Sequence, residues 1–411
     1  MMMLATSTIL FLSATAVDPP KPPTFADVVS KSFVRWDVDK NGKLSPDEIN
    51  KAIIDPKVKG PEAAAVAALR RGLKAAKGEP PKLTADELAA PAPEKTTSAE
   101  KKAASAEKKS ASPDKKAAPS DKKSAPEEKK TNAKGPDAST SGPPKWQSLY
   151  LSSYQRIVRA NRELFVGGKP NLDKLRQGRL GDCYCLAPLG AVCFRNPDDV
   201  VKMITPTKDG KYSVKFGKET ITVAPPTDTE LALSGSTGGE GMWVNVYEKA
   251  VGEWRQKRAP TKDKDAAAID LLGKGGSTSS ILFALTGARA DRFSLSSFKS
   301  ESFTGDKREA KMKELRTVLD KTFADRRLVT TGTGDLKTKP PNINGKHAYA
   351  VLSFDKKSDK LTLWNPHGQT FKPKGPDGME NGYTTSKGRF EIPLADFVRL
   401  FNSLSFEGKK N

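Results

Sequence analysis

The sequence predicts an α+β protein preceded by a small helical module and an unstructured spacer. Three observations predict it. A glycine-flanked cysteine segment, Gln177 to Leu186 (QGRLGDCYCL), leads into an apolar run from Leu186 through Leu189 and Val192 to Phe194, the pattern of a buried helix that opens at Cys183. Strand-like alternation over His347 to Phe354 and again over Leu361 to Asn365 brackets the polar turn Asp355 to Lys360, which predicts a β-hairpin. Between residues 91 and 143 the composition shifts abruptly to Lys, Ala, Ser and Pro, separating an N-terminal unit from a C-terminal globular one.

Composition bounds the function. The 411 residues suffice for two or three domains. A hydrophobic fraction of 36% and a mean hydropathy of −0.57 place a sizeable part of the chain outside any core. The net charge of +21 invites a nucleic-acid or anionic-surface partner. Its basic residues, however, are spread along the whole chain with few aromatics among them. The expectation is therefore no specific nucleic-acid partner and at most a weak attachment to anionic surfaces. Cys183, Cys185 and Cys193 are an odd, clustered set far from both histidines, which fits neither a disulfide framework nor a zinc site.

Taken in order, residues 1–16 (MMMLATSTILFLSATA) are a short apolar stretch closing on the A-x-A pattern Ala14-Thr15-Ala16, although no Lys or Arg precedes it. They read as a secretory signal, with a secreted, periplasmic or cell-envelope location expected. No other segment reaches the roughly 18 apolar residues that would span a bilayer.

Residues 22–90 read as a pair of helix–loop–helix units. Phe25, Val28, Val29, Phe33 and Trp36 give an amphipathic entering helix, and Ile49, Ala52 and Ile53 begin an exiting one. Between them, DVDKNGKLSPDE places Asp37, Asp39, Asn41, the Lys43 backbone carbonyl, Ser45 and Glu48 at the oxygen-ligand spacing of a calcium loop, with Gly42 free to take the sharp turn. This loop resembles the EF-hand family, and Ca2+ is the cofactor expected. A degraded copy follows, since Leu83 to Leu88 (LTADEL) repeats the pattern of Leu44 to Ile49 (LSPDEI) after a helical stretch from Ala63 to Ala75. Counting back from Glu87 puts Ala76, Gly78 and Pro80 at ligand positions, and none can ligate through a side chain. One working calcium site is expected, with a short strand pairing between Leu44 and Leu83.

Residues 91–143 contain five seven-residue units from Ser98 to Asn132, such as SAEKKAA and SPDKKAA. No apolar stripe runs along them, so they predict a disordered linker rather than a coiled coil. From Glu94 to Asp137 there are 12 Lys against 8 acidic residues, a net of +4, so most of the positive charge lies elsewhere.

Residues 144–411 return to globular composition. Helical patterns cover Trp146 to Leu164, Trp243 to Arg255 and Ala310 to Phe323; strand patterns cover Lys211 to Phe216 and Thr220 to Val223. At the cysteine helix, Asp182 is the expected N-cap. A thiol on the first turn meets unpaired N–H groups and the positive helix end, which lowers its pKa. The alternative, a small buried apolar cysteine, stays open on this stretch alone. If the hairpin turn centres near Lys356, His347 lies directly across from Asn365, and a centre one or two residues later still leaves them neighbours. A reactive thiol needs a base, and the base needs a partner that fixes its ring. Cys183, His347 and Asn365 supply that order.

The segments QGRLGDCYCL, KHAYAV and WNPHG resemble the three active-site segments of the calpain family of papain-like cysteine proteases. Gly241 to Ala250 (GMWVNVYEKA) resembles the family's W-x-x-L-x-E-K-A helix. Gly275-Gly276 with Leu285-Thr286-Gly287 resembles its G-G…L-T-G segment, and Gly388-Arg389-Phe390 with Asp396-Phe397 also fits. The resemblance runs over roughly residues 150 to 410. It implies a papain-like core of a helical lobe plus an antiparallel β lobe, with Cys183 as nucleophile, His347 as general base and then acid, and Asn365 orienting the imidazole. Gln177 would donate to the oxyanion hole beside the Cys183 backbone N–H. The implied activity is calcium-dependent endopeptidase cleavage of protein or peptide substrates through a thioester. The rivals are a transglutaminase-like acyl transferase, and a catalytically weak or dead protease fold serving as a calcium-dependent binding module. Three departures stand out. Tyr184 replaces the usual Trp after the cysteine. His367 replaces the Trp expected to shield the His–Asn bond, so a loss of cover is expected. Pro188 inside the cysteine helix predicts a kink. The family's C-terminal β-sandwich and penta-EF-hand domains have no counterpart here, so calcium control is expected from the N-terminal loop or from sites in the core.

Overall fold

A computed structural model describes residues 22–75, 83–89, 145–260, 267–336 and 339–409. The expected signal, the linker and the degraded loop positions Ala76, Gly78 and Pro80 lie outside the described residues.

The N-terminal module starts with α1 (Phe25–Trp36) and α2 (Pro46–Ile54), each opened by a capping box, Thr24 with Asp27 and Ser45 with Glu48. Next come α3 (Gly60–Ala75) and α4 (Ala85–Ala89), the latter behind a matching pair, Thr84 with Glu87. Leu44 and Leu83 form an antiparallel bridge, Leu44 N–H donating to Leu83 O at 2.9 Å, as the sequence pattern predicts. Ala63 to Leu69 are all essentially inaccessible. A helix buried on every side must pack against more than one neighbour, and small alanines allow close approach. Here α3 lies against α5 (Trp146–Arg159) and α8 (Asp228–Leu233). The seam is also polar: Arg71 Nη1 donates to Leu149 O (3.0 Å) and Ser152 Oγ (2.7 Å), and the Phe25 and Trp146 rings stack at 5.7 Å.

Helix α5 stops five residues before the predicted Leu164. The chain there turns to bond the loop before the next long helix, with Met242 N–H donating to Glu163 O at 2.9 Å. Then follow α6 (Cys183–Arg195), α7 (Pro197–Met203) and a small antiparallel sheet of β1 (Ile204–Pro206), β2 (Tyr212–Lys215) and β3 (Thr220–Val223). Helix α6 continues through Pro188 to Arg195 as one helix. After α8 come α9 (Trp243–Gln256), α10 (Ala268–Gly273) and α11 (Thr278–Thr286).

The remainder is built on one antiparallel seven-stranded sheet. Its strands are β4 (Asp291–Ser294), β5 (Val329–Thr333), β6 (Ala348–Asp355), β7 (Lys360–Trp364), β8 (Thr385–Ser386), β9 (Arg389–Pro393) and β10 (Phe401–Phe406), in the order β4-β10-β5-β6-β7-β9-β8. Helices α12 (Gly305–Ala324) and α13 (Leu394–Leu400) pack with it. Alternation along β6 divides two cores: Ala348, Ala350 and Leu352 face the helical core and α6, while Tyr349 and Val351 face the sheet's own. Gly190 of α6 sits where a Cβ would overlap the Trp364 indole, so only glycine permits this approach of helix to strand. No helix among the described residues is long and apolar enough to cross a membrane.

Candidate active site

Cys183 is the first residue of α6 and is half-buried. Asp182 holds the N-cap position, but its side chain makes no capping bond. Only its backbone carbonyl serves the helix, accepting from Cys185 N–H at 2.9 Å. Its carboxyl is fully buried against Glu248 of α9. Burial, then the charge of Asp182 and the bond to it, push the Glu248 carboxyl well above the usual range. Glu248 also accepts from Gly235 N–H at 2.8 Å. The expected N-cap is thus a carboxyl turned into the core.

The thiol differs from expectation in the same way. Burial pushes Cys183 up to about 11, against the lowering pull of the Ala348 N–H. Removal from water outweighs the helix end, because a thiolate loses more solvation there than the few N–H groups return. Buried His347 is pulled down to about 3 by burial and then by His367, with its bond to Asn365 acting the other way. No hydrogen bond joins the Cys183 thiol to His347 among the described residues. Burial thus shifts both groups toward their uncharged forms.

The hairpin turn falls later than Lys356. Asp355 pairs with Lys360 and Ala350 with Trp364, across an irregularity between Val351 and Ser353. Extending this register sets Asn365 opposite Tyr349, with His347 two residues further along the same face, a diagonal neighbour. The contact survives: a His347 ring nitrogen, Nε2, lies 2.8 Å from Asn365 Oδ1. Asn365 is held from both sides, its Nδ2 donating to Asn344 Oδ1 at 3.0 Å and its Oδ1 accepting from His367 N–H at 3.0 Å. An oxygen so oriented assigns the proton to Nε2 and leaves Nδ1 with its lone pair. The His347 backbone is fixed on β5, where its N–H donates to Thr333 Oγ1 at 3.1 Å. The His367 ring lies over His347, centroids 4.3 Å apart, and His347 and Asn365 are both buried. The anticipated loss of cover does not occur, because one imidazole shields the other.

Cys183, Tyr184, His347 and Ala348 line one cavity of about 470 Å³, with Gly275 and Gly276 on its wall. Gln177 does not line it. Its Nε2 donates to Leu180 O at 2.9 Å, its Oε1 is buried without a partner, and its backbone N–H bonds Pro366 O at 2.7 Å. The expected oxyanion donor is thus engaged within its own loop, where Leu180 is the nearest acceptor. Asn344, Thr333 and Glu248 escaped the sequence reading. Only NINGKH, a turn-rich lead into His347, hinted at the first.

At the loop between α1 and α2, Asp37, Asp39 and Glu48 bring carboxylate oxygens within 4.8 Å of one another. Gly42 takes φ +73° and donates its N–H to Asp37 Oδ2 at 2.8 Å; Lys43 N–H donates to Asn41 Oδ1 at 2.9 Å. Burial would raise Glu48, but donors from Ser45, Asp39 and Val38 hold it below the usual range. Three hard carboxylates with Asn41 and Ser45 beside them fit a calcium ion chemically. Ligation by Glu48 would exchange its present bonds to Val38 N–H and Ser45 N–H, both 2.8 Å.

Residues 149–405, well over half of the chain, match the family model described as calpain family cysteine protease. No curated protein matches the chain.

Proposed function

Since the chain belongs to the calpain family of cysteine proteases, we propose that it is an endopeptidase that cleaves protein substrates through a thioester on Cys183. The His347–Asn365 bond beside Cys183 in one cavity carries this reading. Nδ1 of His347 takes the thiol proton as sulfur attacks the carbonyl carbon. Asn365 keeps the ring aimed and stabilises the imidazolium. The oxyanion is met by the Cys183 backbone N–H at the opening of α6. The imidazolium then protonates the leaving amine. Water, deprotonated by His347, hydrolyses the thioester and frees Cys183.

The N-terminal loop is read as an EF-hand in which Asp37, Asp39, Asn41, the Lys43 carbonyl, Ser45 and Glu48 hold calcium. The ion would supply a dication that neutralises three converging carboxylates. A route to the cleft supports calcium dependence. Asn50 of α2 and Arg70 of α3 both bond Asp270 of α10, and the chain after α10 runs into Gly275 and Gly276 of the cavity wall. Export after removal of residues 1–16 is part of the same reading, and a mature N-terminus at Val17 would establish it. A binding role without catalysis is favoured by one observation, that no hydrogen bond joins the Cys183 thiol to His347 among the described residues. Casein cleavage with and without calcium, in wild type and Cys183→Ala, decides between them. Hydrolysis lost in the variant supports the protease, and equal behaviour of the two proteins supports the binding role.

A further inference from the structure

The catalytic cavity is cationic. Among the described residues that line it none is Asp or Glu, while Arg292 and Lys346 both face it among Ser277, Ser279, Ser403 and Ser405. Lys346 is matched by Asp335 at 3.0 Å. Arg292 has no ion pair or hydrogen bond among the described residues. Its neighbour Asp291 does not neutralise it, because successive strand residues point to opposite faces and Asp291 is bound to Arg327. Arg292 lies opposite Ser405 on β4, the edge strand of the large sheet.

A second cavity, of about 490 Å³, adjoins the first and shares Ser279 and Arg292 with it. Among the described residues it too is lined by no Asp or Glu, and it adds Arg258, Arg289 and Phe283. Arg258 is already occupied, paired with Glu219 and lying over the Trp254 ring at 4.6 Å. Arg289, like Arg292, has no partner among the described residues. Phe283 beside them is 38% exposed, unusual for a large apolar side chain in this fold. Two unmatched guanidiniums three residues apart, an exposed ring and a continuous path to Cys183 make one track.

Resting on the protease reading above, we propose that this track selects substrates carrying acidic side chains a few residues from the cleaved bond, with Arg289 and Arg292 as the residues that read them. A guanidinium presents paired donors to a carboxylate, whereas a lysine or arginine of the substrate would be placed against two like charges with no acid in the lining to offset them. Phe283 gives an adjacent apolar side chain a surface to cover. Because both arginines are open to solvent, the discrimination is electrostatic and screened by salt.

The test uses the full chain and one series of peptides with a common cleavable centre, flanked on either side by paired Asp, Asn or Lys. The expected result is a kcat/KM about tenfold higher for the Asp series than for the Lys series at low salt, shrinking in about 0.5 M NaCl. Arg289→Glu/Arg292→Glu is expected to reverse the order, and Arg289→Gln/Arg292→Gln to erase it. Equal rates for Asp and Lys peptides, or an acidic preference that survives charge reversal, would overturn the proposal. Binding of the same fluorescent peptides to Cys183→Ala, read by anisotropy, separates the two layers of argument. If no peptide is cleaved but the Asp series binds more tightly, the protease reading fails and the track stands. If Asp and Lys peptides bind alike, the track fails whatever the cleavage data show.

Discussion

Behind Cys183 lies a helical core that draws on residues from Phe25 in the N-terminal module to Trp364 in the sheet; behind His347 lies a sheet core drawn only from Phe293 to Phe406. The nucleophile therefore rests on packing shared with the acidic loop's own helices, through the alanines of α3, while the base rests on a self-contained unit. Disturbance of the N-terminal module should reach the thiol side and the cavity wall first, and leave the His347–Asn365 pair in place.

The strongest way to break that contrast is at the point where the cores touch. Gly190→Val sets two methyl groups and a Cβ against the Trp364 indole and is expected to destabilise the fold by about 3 kcal/mol, seen as a lower midpoint in urea. A wild-type midpoint would show that helix and sheet do not depend on this approach. Asn365→Ala removes the orienting amide on the sheet side alone. It is expected to lower kcat about 100-fold with little change in KM or melting temperature, and an equal rise in KM would reassign Asn365 to substrate binding.

Acid probes the base in place. His347 falls from an unfolded value near 6.5 to about 3 in the folded protein, so the unfolded chain binds the extra proton between those limits. Stability should therefore drop as pH falls through that window, by up to about 1.4 kcal/mol per pH unit from this residue, and be fully restored above it. His347→Gln should flatten that part of the profile; an unchanged slope would place the acid sensitivity elsewhere. The smallest effect compares two ion-pair sites. Asp270→Ala strands partly buried Arg70 and Asn50 across the module boundary and should cost about 1–3 kcal/mol. Asp359→Ala, which frees exposed Arg316 within the sheet unit, should cost at most about 1 kcal/mol. Amide exchange should quicken at Gly275 to Ser279 only in the first variant.

Much of this was legible along the chain because it is local. The buried positions of α1, the Leu44–Leu83 bridge, the opening of α6 at Cys183 and the hairpin carrying His347 all follow from periodicity, turn chemistry and local repetition within a few residues. Helix α5 was overextended because the apolar pattern to Leu164 continues while its partner, the Gly241 loop, is some 80 residues away. β5, β9 and β10 went unrecognised as members of one sheet, since strand order is a long-range property.

By itself the sequence determined the family and the residue types at the candidate site, because nucleophile, base and orienting amide are written as short motifs in an order that survives any folding detail. Only the tertiary structure decided their state. Burial shifted the thiol and imidazole toward their neutral forms, and packing turned Asp182 toward Glu248 and Gln177 toward Leu180 and laid His367 over His347. Desolvation and pairing depend on what arrives from distant parts of the chain, and no local pattern records that.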